Sequence, residues 1–166
     1  MKKLIHVFLI FCFSLTIISC SDDKEEYSAT GTTDNTTTTD NTTTTDTTAP
    51  TVSSISPTDN QSGVSISDNI SVTFSEAMDN TSVTTNTSNT TCSGTLQVSS
   101  LNFQYCVQMS LPPSSSNSDK TFTVDPSSDL DPNTTTYKIR MTTGLKDTAG
   151  NTLSTQYETS TGFTTR

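Results

Sequence analysis

Ile70-Ser71-Val72-Thr73-Phe74-Ser75-Glu76-Ala77-Met78-Asp79 opens with an apolar side chain at every second position and closes on acidic, turn-forming residues. A period of two puts Ile70, Val72 and Phe74 on one face and Ser71 and Thr73 on the other, the pattern of a half-buried strand. The same period recurs at Leu96/Val98, Phe103/Tyr105/Val107/Met109, Phe122/Val124 and Tyr137/Ile139/Met141. Between these runs lie Asp59-Asn60-Gln61-Ser62-Gly63, Asp125-Pro126-Ser127, Asp131-Pro132-Asn133 and Ala149-Gly150-Asn151. These are turn residues, either because they tolerate positive φ or because their side chains bond nearby backbone. No stretch carries a convincing helical period. Short strands at this spacing predict an all-β fold, an antiparallel sandwich over residues 49–166.

Upstream of residue 49 the chain has no material for a core. Asp34-Asn35-Thr36-Thr37-Thr38-Thr39 repeats as Asp40-Asn41-Thr42-Thr43-Thr44-Thr45, and a third start follows at Asp46. Without apolar side chains nothing offsets the entropy of ordering, so residues 20–48 are expected to form a disordered tether. As a flexible coil its ends would average on the order of 30 Å apart. The expectation is an unmodified spacer, with O-glycosylation, frequent on Thr-rich stalks, as the alternative.

Residues 1–19 read as an export leader. Lys2 and Lys3 precede the apolar run Leu4–Ile18, which is too short to span a bilayer and is followed by Ser21-Asp22-Asp23-Lys24-Glu25-Glu26. Leu15-Thr16-Ile17-Ile18-Ser19-Cys20 resembles the bacterial lipobox, which implies a diacylglyceryl group on Cys20, cleavage before it and acylation of the new amine. Two or three acyl chains anchor a protein stably, so the membrane is an expected partner through Cys20. Ser21 resembles the sorting residue of outer-membrane lipoproteins, and the acidic run resembles a surface-export signal. The expected location is the outer membrane with the domain at the cell surface; the periplasmic face is the alternative.

The carboxy-terminal region resembles a known family. Pro57, Gly63-Val64 and the quoted stretch are followed in order by Tyr137-Lys138-Ile139-Arg140, Gly144-Leu145-Lys146-Asp147-Thr148-Ala149-Gly150-Asn151 and Phe163-Thr164-Thr165. This looks like the bacterial Ig-like domain of S-layer proteins, adhesins and surface lipoproteins. The resemblance implies a seven-stranded Ig-like sandwich without intrinsic catalysis. Leu130, Pro132 and Tyr137 look like the approach to a tyrosine corner, in which the phenol bonds back to nearby backbone.

Chemistry is sparse in the residues that remain. Cys12 leaves with the leader and Cys20 carries the lipid, so Cys92 and Cys106 are left to pair in an oxidising compartment. On a regular strand Cys106 points away from the core, and the expectation is a surface staple. Carboxylates and amides gather in the turns, and Glu76, Asp79, Asp147 and Asn151 are candidate calcium ligands. Asx-rich turns explain the same residues, and no other cofactor is implied. The only histidine, His6, lies in the leader, which leaves no imidazole base for the abundant serines and threonines. An enzyme is therefore not expected. Without Lys2 and Lys3, six basic side chains face seventeen acidic ones, a net charge of −11. That balance excludes nucleic acid as a partner. The expected function is a lipid-anchored binding module for adhesion, meeting an envelope or extracellular protein or glycan. A purely structural spacer is the alternative.

Overall fold

Alternating burial builds two facing sheets. The computed structural model describes residues 44–166, so the leader, Cys20 and the stretch up to residue 43 lie outside the described residues. The strands are β1 (Val52–Ser56), β2 (Ile70–Phe74), β3 (Leu96–Ser99), β4 (Ser114–Ser116), β5 (Thr121–Val124), β6 (Thr136–Met141), β7 (Tyr157–Glu158) and β8 (Phe163–Thr164). One sheet has the order β1-β2-β5-β4; the other runs β3-β6-β7, with β8 also pairing β6. All strand pairs are antiparallel. Among the described residues there is no helix, hence none long and apolar enough to cross a membrane.

The central strands carry the core. Ile70 lies opposite Val124 and Val72 opposite Phe122, while Leu96 meets Met141 and Val98 meets Ile139 on the other sheet. All eight side chains are essentially inaccessible and belong to one apolar cluster. Phe74 and Phe122 pack edge to face with centroids 6.1 Å apart, and Tyr137 stacks on Phe163 at 5.6 Å. On the outer face of the first sheet, Thr73 and Thr121 pair through their hydroxyls at 3.0 Å.

One expected strand is absent. Phe103 to Met109 do not alternate, because Asn102 and Phe103 adopt left-handed backbone with φ of 48° and 60°. The Ser99 hydroxyl accepts the N–H groups of Leu101 and Phe103 and donates to the carbonyl of Tyr105, which curls the chain into a compact loop. Of the four side chains, only Met109 is fully buried in the core, with Val107 packed partly against it. Phe103 instead covers the outside of β6, where the Arg140 guanidinium lies 3.5 Å from its ring centroid. This cover buries Gln97 and Ser99, so β3 is buried on both faces rather than half-buried.

Side chains hold the other loops. The Tyr137 phenol accepts the backbone N–H of Asp131 at 2.9 Å, forming the tyrosine corner. Asp59 clamps the turn before β8: its carboxylate accepts Ser160 N–H and Oγ, Thr161 N–H and Gly162 N–H. Gly162 has φ of 88°, and a Cβ there would meet the Tyr137 carbonyl, so only glycine fits. Burial opposes ionisation of Asp59, yet these hydrogen bonds outweigh it and hold its carboxyl below the usual value.

Replacing Tyr137 by Phe should keep the ring stack and strand the Asp131 amide. The expected loss is about 1–3 kcal/mol in urea unfolding, with an unchanged m-value. A variant as stable as the parent would show that the corner contributes nothing.

Candidate functional site

The two motifs that carried the family resemblance touch each other. Past the end of β2, Met78 forms an antiparallel bridge with Asp147. Asp79 N–H donates to the Lys146 carbonyl, and Thr148 N–H donates to that of Ala77. The 146–152 segment is a hairpin turn closed by the Lys146–Thr152 bridge, with Gly150 at φ 93°. Leu145 and Leu153 are buried on either side of it.

This junction gathers carboxylates. Oxygens of Asp46, Glu76 and Asp147 all lie within 4.8 Å of one another. Asn151 is alongside, donating from Nδ2 to Asp147 at 2.8 Å and to the backbone carbonyl of Asp46 at 3.2 Å. Of the four expected ligands, Glu76, Asp147 and Asn151 are brought together. The Asp79 carboxylate instead accepts the N–H and hydroxyl of Thr81 at 2.9 and 2.7 Å. Asp46 was not foreseen, because it belongs to the Thr-rich repeat and no local signal marks it as folding back.

The group could hold a cation, since clustered hard oxygens are what calcium takes. Without one, the charges repel. Burial, then the charges of Asp46 and Asp147, raise the Glu76 pKa above the usual carboxylate value. Asp147 goes the other way. Its burial is outweighed by hydrogen bonds from Asn151 and from the backbone of Ala149 and Gly150, which keep it ionised.

Cys92 and Cys106 form the expected disulfide, with Cα atoms 4.9 Å apart. It is not a surface staple throughout, because Cys106 is only 3 % exposed. The irregular backbone described above turns it inward, outside the main core cluster. The bond ties the segment before β3 to the segment after it, the two arms of the cover, helped by Cys106 N–H donating to the Thr90 carbonyl at 2.8 Å.

Beside the staple lies an open depression of about 260 Å³. Its lining includes the apolar Leu101, the rings of Tyr105 and Tyr137, and the polar Gln108, Ser128, Asp129 and Asp131. The lining of this depression contains no histidine and no lysine.

A raised pKa means that the Glu76 contribution to stability is full below its unfolded value and is lost as pH rises through the folded one. Glu76→Gln should therefore raise the melting temperature at pH 7 in chelator-treated buffer and flatten the decline that sets in as pH rises above the usual carboxylate value. A lower melting temperature would contradict the repulsion. Millimolar calcium separates the two ways of relieving it: a cation site stabilises the parent more than the variant. A melt indifferent to calcium leaves protonation as the relief.

No curated protein matches the chain. Among solved structures it is similar to surface layer protein SbsC, domains 1-6, at 23 % identity and TM-score 0.48, covering 71 % of this chain and 14 % of that one. It is likewise similar to the N-terminal part of the bacterial S-layer protein SbsC, at 23 % identity and TM-score 0.49, covering 72 % and 24 %. The chain thus spans less than a quarter of these structures' length. The family model of the bacterial Ig-like domain matches residues 46–165, and the chain belongs to that family.

Proposed function

We propose that this protein is a lipid-anchored, non-catalytic binding module, displayed on the outer membrane at the cell surface and used in adhesion. The observation that carries the reading is the exposure of Leu101 and Tyr105, 54 % and 60 %, on a loop cross-linked by a disulfide. Folding alone gives no reason to leave two large apolar side chains outside on a rigid loop, whereas a binding surface does. The lipobox-like Leu15–Cys20 stretch supports anchoring, and the acidic run after Cys20 supports display. The bacterial Ig-like family is consistent with a cell-surface module. The Thr-rich segment before residue 46 is proposed as the spacer between lipid and domain.

Two measurements on cells test the proposal. Cys20→Ser should abolish labelling by a radiolabelled fatty acid; continued labelling would contradict the anchor. Protease added to intact cells should cut the Thr-rich segment and release a folded, disulfide-containing fragment. Full-length protein that survives until the outer membrane is permeabilised would place the domain inside and end the adhesion reading. A displayed domain that leaves attachment of the cells unchanged when deleted would be a spacer.

A further inference from the structure

We propose that the depression between the stapled loop and the tyrosine corner binds a neutral saccharide, with Tyr105 as its stacking platform. This rests on the reading of the chain as a displayed binding module, and names the ligand class and the place.

The ring is held ready. Its loop is fixed at one end by the Cys92–Cys106 bond and in the middle by the Ser99 hydroxyl, which accepts Leu101 and Phe103 N–H, each at 3.0 Å. Phe103 is further held against Arg140. Tyr105 therefore projects from a backbone with little freedom left to lose, and binding to a preorganised aromatic costs less entropy.

The lining selects the chemistry. Asp129 and Asp131 are exposed acceptors, the Gln108 side chain adds an amide, and Ser128 both donates and accepts. The Gln108 amide gives one N–H to the Thr87 carbonyl, which leaves its other N–H and its oxygen for a ligand. No cationic side chain lines the depression, and the chain is acidic, so phosphate, sulfate and carboxylate ligands are repelled. A wholly apolar ligand would strip water from two carboxylates without replacing it. A sugar hydroxyl donates to a carboxylate and accepts from a serine at once, while the carbon face of the ring covers Tyr105 and Leu101. A lysine or arginine side chain of a basic peptide can only donate, so it satisfies the acceptors but offers nothing to the hydroxyl hydrogen of Ser128, which a sugar hydroxyl does. The volume, about 260 Å³, falls below the roughly 300 Å³ at which pockets for drug-sized ligands begin. It suits one ring of a chain whose neighbours remain in solvent.

The test is binding of the detergent-solubilised full chain to an array of neutral and sulfated oligosaccharides, with an oligolysine peptide as a further probe. Retention of neutral oligosaccharides is expected. Tyr105→Ala should weaken the best of them roughly tenfold, Tyr105→Phe should restore binding, and Asp129→Asn should weaken it. Leu111→Ala, an exposed apolar residue away from the lining, should bind like the parent. Matched melting temperatures exclude unfolding as the cause. Binding of oligolysine or sulfated glycans alone, no binding, or equal binding by Tyr105→Ala overturns the proposal. Its failure is distinguishable from failure of the broader reading. Cells whose attachment depends on the domain but not on Tyr105 refute this site alone, whereas an inward-facing domain refutes display.

Discussion

Everything in this sandwich depends on burying one thin apolar layer between strands that are only two to six residues long. The layer itself is simple: alternate residues of β2 and β5 face alternate residues of β3 and β6. Short strands, however, satisfy few backbone groups, and each unpaired buried N–H or C=O is costly. The connections must therefore supply the missing partners. Asp59 does so at the turn before β8, Tyr137 at the corner before β6, Ser99 beneath the stapled loop and Asp147 in the hairpin after Leu145. Polar residues in this chain are less a solvent coat than part of its framework.

That division explains what could be read in advance. Strands β2, β5 and β6 were legible because each has one face in the core and one toward solvent, and Val72, Phe122 and Ile139 mark the buried face. The tyrosine corner and the Asp147–Asn151 turn were legible because their geometry is local. The Phe103–Met109 run misled, since its period of two is cancelled by two left-handed residues and a hydroxyl that captures two amides. Strand β4 is three exposed serines and has no apolar signature at all. Asp46 joins Glu76 and Asp147 only through long-range folding, which no spacing within the Thr-rich repeat announces.

The same logic places the functional candidates. The junction of Asp46, Glu76 and Asp147 lies where the segment entering the sandwich meets its two family motifs, so its charge balance bears on how that segment is held. The depression beside Tyr105 lies on the other addition, a long cover laid over β3 and cross-linked to itself. The apolar layer builds the shared scaffold; the cover gives this chain a surface of its own.

The central claim is that this cover is a rigid part of the domain and owes its order to the disulfide and to Ser99. Hydrogen exchange of the amides of Leu101, Phe103 and Cys106, read by NMR before and after reduction, tests it most directly. With the disulfide intact these amides should exchange slowly, though faster than those of β2 and β5. After reduction they should exchange freely while β2 and β5 stay protected. Fast exchange of the three amides in the oxidised protein would contradict the account, because Tyr105 would then project from a loose loop with no prepared site.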